Sequence, residues 1–192
     1  MNISKTQTQK VPNIKVVGLG GGGCNAVDEM FKAGIQGVQF IAVNSDVQSL
    51  LRSRVSTRIE IGSKATSGLG AGGSPDLGRR AAEETAQHLS QALQGADLVF
   101  IIAGLGGGTG TGAAPIVAQI AKNHGALTLG MVTLPFSFEG AKRQKSAQAG
   151  LVTLQEQTDT LIAIPSDRLL HQLDKRASLQ DAFRMADNIL SQ

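Results

Sequence analysis

Residues 104–112 read Gly-Leu-Gly-Gly-Gly-Thr-Gly-Thr-Gly, between the apolar run Asp97–Ala103 and the helix-forming segment Ala113–Lys122. A stretch this rich in glycine is expected to lie outside helix and strand interiors, because each glycine loses more backbone freedom on folding than other residues do. It suits a place where backbone N–H groups crowd around a ligand with no Cβ in the way. Thr109 and Thr111 add hydroxyl donors. Pro115 fits the first turn of the helix that follows. Strand, glycine loop and helix N-terminus together form an arrangement that binds phosphate, since free N–H groups and the helix dipole both favour an anion.

A second loop of this kind lies upstream. Residues 14–18 read as a short buried strand, Gly20 to Gly23 follow, and Asn25–Lys32 has a helical pattern. Gly18, Gly20 and Gly23 satisfy G-x-G-x-x-G, and Asp46, after the next strand, stands about where a ribose-binding carboxylate belongs. A dinucleotide site of that kind leaves the loop at 104–112 without a purpose. It also leaves out a third glycine-rich stretch, Ser67–Gly73, which leads through Ser74 and Pro75 into another helix. Three such loops suit a triphosphate better than a pyrophosphate. The chain contains no G-x-x-x-x-G-K-[ST], so phosphate binding here rests on backbone amides rather than a P-loop lysine.

The organisation agrees. Strands are expected at 14–18, 38–43, 57–61, 97–103, 126–133 and 159–164. Helices are expected at 25–33, 47–52, 76–93, 113–123, 141–156, 167–173 and 178–190. Alternation of this kind gives an α/β domain, with a mostly parallel sheet and helices on both faces. Ligands in such sheets bind beyond the carboxyl ends of the strands, where the glycine loops fall. At 192 residues the chain reads as one domain. A net charge of +3, with neither Trp nor Tyr, argues against nucleic acid as a partner. No apolar run is long enough to span a bilayer, so direct membrane insertion is not expected. The polar start of the chain is no signal peptide, and residues 1–12 are expected to be a disordered tail. The single cysteine, Cys24, excludes an internal disulfide and fits a reducing compartment. Its place beside a helix N-terminus raises the idea of a reactive thiol, against the plainer reading of a small residue in a tight loop.

Near the end, Leu179, Ala182, Phe183, Ala186, Ile189 and Leu190 form one apolar stripe at helical spacing. The sequence stops at Gln192 without a cap or further element, which suggests a fragment of a longer protein.

The segments GLGGGGCNAV, FIAVNSDVQSL, GLGAGGSPDLGRRAAEE, GADLVFIIAGLGGGTGTGAAP, TLPFSFEGAKR, IPSDRLL and DAFRMADNIL occur in that order. Together they resemble the tubulin/FtsZ family over nearly all of the chain after Val11, and the bacterial FtsZ branch more than eukaryotic tubulin. The resemblance implies a three-layer Rossmann-like GTPase domain over 13–177, the start of a central helix at 178–192, and a missing C-terminal domain. It implies a cytoplasmic GTPase that binds GTP and GDP, with Mg2+ accompanying GTP, and polymerises head to tail at the division site. Its partners would be copies of itself or a full-length homologue, and division proteins acting mainly through the absent C-terminal tail.

The resemblance also assigns roles. Gly21, Gly22, Gly23, Cys24 and Asn25 would form the first phosphate and base loop. Ala71, Gly72 and Gly73 would face the γ-phosphate, and Gly107, Gly108, Thr109 and Gly110 would grip the phosphates. Thr133 stands near the nucleotide in relatives. Glu139 and Arg143, i,i+4 and otherwise an ordinary surface ion pair, would meet the ribose and the sugar-phosphate. Phe183 and Asp187, also i,i+4, would otherwise read as a core residue and a solvated charge. Together they suit guanine: the ring stacks on Phe183, and an ionised carboxylate accepts both the N1–H and the exocyclic amine. Adenine presents an acceptor at N1 and would be rejected. Asn25 would be the second base contact.

Two positions depart from the family pattern. Ser166 and Ser74 stand where asparagine is usual. In the family an acidic loop of one subunit activates water in the site of its neighbour, and that loop lies beyond Gln192. Asp46 and Gln48 would stand near the γ-phosphate, in assisting positions only. The chain alone is expected to bind GTP and hydrolyse it poorly. The alternatives are a non-hydrolysing GTP-binding protein that caps or regulates filaments, and an NAD-type enzyme using the first glycine loop alone.

Overall fold

The computed structural model describes residues 11–172 and 177–190. The tail expected at 1–12 thus lies almost wholly outside the described residues. Six strands form one parallel sheet: β1 (Ile14–Leu19), β2 (Val38–Asn44), β3 (Thr57–Glu60), β4 (Leu98–Gly104), β5 (Leu127–Leu134) and β6 (Thr160–Pro165). Their order is β3-β2-β1-β4-β5-β6. In register, Gly18 of β1 faces Ala42 on one side and Ile102 on the other. Strand order reverses between β1 and β4, so a crevice opens beyond their carboxyl ends.

The helices are α1 (Gly20–Lys32), α2 (Val47–Arg52), α3 (Ser63–Thr66), α4 (Pro75–Glu84), α5 (Ala86–Leu93), α6 (Thr109–Asn123), α7 (Ala141–Gln157) and α8 (Leu179–Ile189). They cover both faces. On one, Val17, Leu19, Ile41, Val43, Val99 and Ile101 pack against Ala81 and Ala82 of α4, Leu89 and Leu93 of α5, Ala114 and Val117 of α6, and Leu154 of α7. On the other, Val16, Phe40, Ala42 and Ile102 pack against Ala26, Val27 and Met30 of α1 and against Leu190 after α8. Alternate strand residues serve opposite faces, as the pleat requires. Each fully buried leucine or isoleucine contributes about 1.5–3 kcal/mol.

Three expectations need correction. The glycines do enter helices: α1 begins at Gly20 and α6 at Thr109, so both loops run directly into first turns. Close packing is the reason. A Cβ on Gly23 would sit 2.3 Å from the Ile102 carbonyl oxygen, and one on Gly112 would sit 2.0 Å from that of Pro75. Glycine costs about 1 kcal/mol in a helix, and the close approach of helix to sheet and of α6 to α4 offsets it. The helix expected at 76–93 is two, α4 and α5, broken at Thr85 with φ −105° and ψ 13°. There the Thr85 hydroxyl accepts a hydrogen bond from the Gly62 N–H at 3.0 Å. The helix expected at 167–173 is a 3-10 turn over Ser166–Gln172, and residue 173 lies outside the described residues.

Candidate nucleotide site

A cavity of about 430 Å³ opens beyond the carboxyl ends of β1, β4 and β5. Two helix N-termini line it. Leu19 precedes α1 and Gly108 precedes α6, and neither offers a side-chain cap. Three other helix starts are closed by the N-cap side chain: Asp46 accepts from the Ser49 N–H in α2, Ser74 from Leu77 in α4, and Ser178 from Asp181 in α8. The starts of α3, α5 and α7 also lack a cap of this kind, but those of α3 and α5 do not line the cavity, and α7 adds only Arg143 to its wall. The first-turn N–H groups of α1 and α6 therefore face the cavity without a side-chain acceptor, an arrangement suited to an anion. The two starts touch. Gly20 has φ +68°, and a Cβ there would lie 2.9 Å from the Gly110 nitrogen. A third loop backs them: a Cβ on Gly108 would sit 2.7 Å from that of Ala71.

At the far end the polar groups belong to side chains. The Asn25 amide donates to Asp187 at 2.8 Å. Burial pushes the Asp187 carboxyl up to about 6, and the Asn25 hydrogen bond opposes that rise. Phe183, one helical turn earlier, is 41% exposed and stands on the rim, not in the core. Its ring meets Phe136 edge-on at 5.7 Å and Phe138 edge-on at 6.1 Å. Between the two ends sit Glu139 and Arg143. Glu139 accepts from the Phe136 N–H at 2.8 Å and is ion-paired with Arg143. The local ion pair and the place in the cavity wall are thus one arrangement.

The cavity brings together Gly21, Gly22, Asn25, Gly107, Gly108, Thr109, Gly110, Thr133, Glu139, Arg143, Ser166, Phe183 and Asp187. Ser166 is buried in the wall. Several expected residues stand elsewhere. Gly23 is wedged against β4, as described above. Cys24 points into the core, where its single S–H has the Val43 and Gly18 carbonyl oxygens within reach at 3.5 and 3.6 Å. Burial pushes that thiol up to about 12, so the reactive-thiol reading is wrong: a helix N-terminus does not activate a side chain that the fold turns away from solvent. Ala71 is buried behind Gly108, while Gly72 and Gly73 have φ of +54° and +75° and open space around them. The Asp46 carboxylate is engaged in capping α2, and Gln48 is exposed on that helix.

The wall also contains Gly20, Gly104, Leu105, Pro135, Phe136 and Ala186, to which the sequence assigned no individual contact, although Gly20, Gly104 and Leu105 lie in the two glycine loops it singled out. Gly20, Gly104 and Pro135 stand at or just past strand ends, and that position was the available signal. Ala186 sits beside Asp187 on α8.

The family model "Tubulin/FtsZ family, GTPase domain" matches residues 13–174. The chain belongs to the tubulin/FtsZ family. FtsZ from M. jannaschii, solved as an empty dimer, is 47% identical with a TM-score of 0.91, over 94% of this chain and 52% of that one. CetZ1 from Haloferax volcanii, a GDP-bound monomer, is 27% identical with a TM-score of 0.83, over 93% of this chain and 58% of that one. CetZ2 from the same organism, a GTPγS-bound protofilament, is 25% identical at the same TM-score, over 93% of this chain and 56% of that one. The chain spans about half the length of these structures. The sheet is therefore the Rossmann-like sheet of a tubulin/FtsZ GTPase domain, and the reading of the first glycine loop as an NAD site gives way. Among the described residues no helix is long and apolar enough to cross a membrane.

Proposed function

We propose that this chain is the nucleotide-binding half of an FtsZ-type cytoskeletal GTPase. It holds GTP and GDP in the cavity between α1 and α6, phosphates at the glycine end and guanine at the Asp187 end. One observation carries this reading: two uncapped helix N-termini share a single cavity whose other end is the Asn25–Asp187 pair. The phosphates accept from first-turn N–H groups and from the Thr109 hydroxyl. Ala71, Gly72 and Gly73 approach the terminal phosphate from behind Gly108. Glu139 and Arg143 meet the ribose and its phosphate. The base stacks on Phe183, and ionised Asp187 accepts its N1–H and amine while Asn25 holds the carboxylate in place.

Among the described residues no three His, Cys, Asp or Glu side chains cluster to hold a metal ion. Mg2+ would accordingly ride on the nucleotide, supported by phosphate oxygens and water, and neutralise phosphate charge. Asp46 is committed to α2, so water activation falls to acidic residues that a neighbouring subunit supplies when copies stack head to tail. The GTPase then works in filaments, at the division site in the cytoplasm, and division proteins reach it through a C-terminal tail.

The test is displacement of fluorescent GTP by GDP and ATP, followed by phosphate release with and without an intact homologue. Guanine-selective binding, with release only in the mixture, is expected. Failure of GDP to displace the probe would refute the reading. Release as fast without the homologue would refute its account of water activation. Filament shortening at substoichiometric amounts would favour the filament-cap reading.

A further inference from the structure

Ser45 follows β2, is fully buried, and does not line the cavity. Its hydroxyl lies 2.6 Å from that of Thr109, the first residue of α6, which does line the cavity. Among the described residues neither hydroxyl has another hydrogen-bond partner. Each carries one proton. Were Thr109 to donate to Ser45, the Ser45 proton would be left in the core without an acceptor, which is unfavourable away from water. Ser45 therefore donates and Thr109 accepts. The Thr109 proton is then free to point into the cavity.

The rest of Ser45 is fixed. Its carbonyl accepts from the Gly70 N–H at 3.0 Å and shares the Thr66 hydroxyl, at 3.2 Å, with the Gly62 carbonyl at 3.0 Å. The Asn44 carbonyl before it accepts from Ile61 at 3.0 Å. The donor is thus held in place before any ligand arrives. A hydroxyl that accepts one hydrogen bond also becomes a stronger donor for the next.

We propose that Ser45 is a positioning residue, which sets the Thr109 hydroxyl as a hydrogen-bond donor to a nucleotide phosphate. This rests on the nucleotide reading above. A double-mutant cycle tests it, with GDP affinity measured by calorimetry for the wild type, Ser45→Ala, Thr109→Val and the pair. Ser45→Ala is expected to weaken GDP about five- to tenfold. In the Thr109→Val background the same change should move affinity less than about twofold, because nothing remains to orient. Ser45→Cys keeps the side-chain shape with a somewhat larger terminal atom, and donates weakly. It should show the loss seen with alanine while thermal unfolding stays at the wild-type midpoint, which separates the hydrogen bond from packing. An equal loss in both backgrounds, or wild-type affinity in Ser45→Cys, would overturn the role of Ser45 alone. A wild type that binds no GDP would overturn the nucleotide reading itself.

Discussion

At the glycine end of the cavity the donors are backbone N–H groups, held by α1 and α6 against the most buried strands of the sheet. At the Asp187 end the polar atoms belong to side chains, carried on α8 and reaching across to α1. The first end has little room to change, because the glycines also carry the packing of helix on sheet and loop on loop. The second is adjustable, since a side chain can be exchanged without moving a helix. A site divided this way can keep its grip on phosphate while base selectivity, proton dependence and affinity are tuned separately.

Four changes break or sharpen that division. Gly108→Val should have the largest effect, because its Cβ would lie 2.7 Å from Ala71 and 2.9 Å from the Ser74 nitrogen. GDP and ATP binding should both fall by at least about a hundredfold, as expected when a cradle closes. Calorimetry shows whether base identity matters to that loss, and a loss confined to GDP would erase the division. Asp187→Asn should weaken GDP by about 10- to 100-fold, the worth of hydrogen bonds to a charged group, while a phosphate-only probe such as pyrophosphate keeps its affinity.

Proton dependence comes next. The Asp187 carboxyl stands at about 6, raised by burial, so it is mostly ionised at pH 7 and mostly protonated at pH 5. In the proposed site GDP needs the ionised form, which accepts the guanine N1–H and amine. Affinity should therefore drop about tenfold between those two pH values, and Asp187→Asn should flatten the profile. The free fold responds with the opposite sign. A carboxyl with a raised folded-state value favours the folded state when protonated, so this group adds stability as pH falls through 6 towards 4.

The smallest effect belongs to Ser74. It lies beside the glycine end, yet its hydroxyl caps α4 by accepting from Leu77 at 3.3 Å. Ser74→Ala should cost about 1 kcal/mol in chemical denaturation and change GDP affinity less than about twofold.

The two ends also differed in how plainly they could be read. All six strands stand within a residue or two of their expected positions, because parallel buried strands are near-continuous apolar runs. The glycine loops announced themselves by composition. Their helical character was hidden, since intrinsic propensity disfavours glycine in helices and it takes the nearby backbone, the Ile102 and Pro75 carbonyls above all, to explain why nothing larger fits at Gly23 and Gly112. The break at Thr85 was hidden for a similar reason: no glycine or proline marks it, and its partner is Gly62, 23 residues away. At the Asp187 end, Phe183 and Asp187 show only an i,i+4 spacing, which core and surface helices share. The resemblance picked them out, and the structure adds Asn25 as the group that holds Asp187. Cys24 could not be decided from sequence alone, which shows its distance from a helix start but not the face of the helix it occupies; the fold gives it the plainer of its two readings, a small residue packed in the core.

The most direct test of the account compares GDP with ADP, in the wild type and in Asp187→Asn. The account predicts that the wild type prefers GDP by at least about a hundredfold, and that the substitution removes most of that preference while pyrophosphate binds both proteins alike. Equal binding of GDP and ADP by the wild type, or an undiminished preference in the variant, would contradict the assignment of guanine to the Asp187 end.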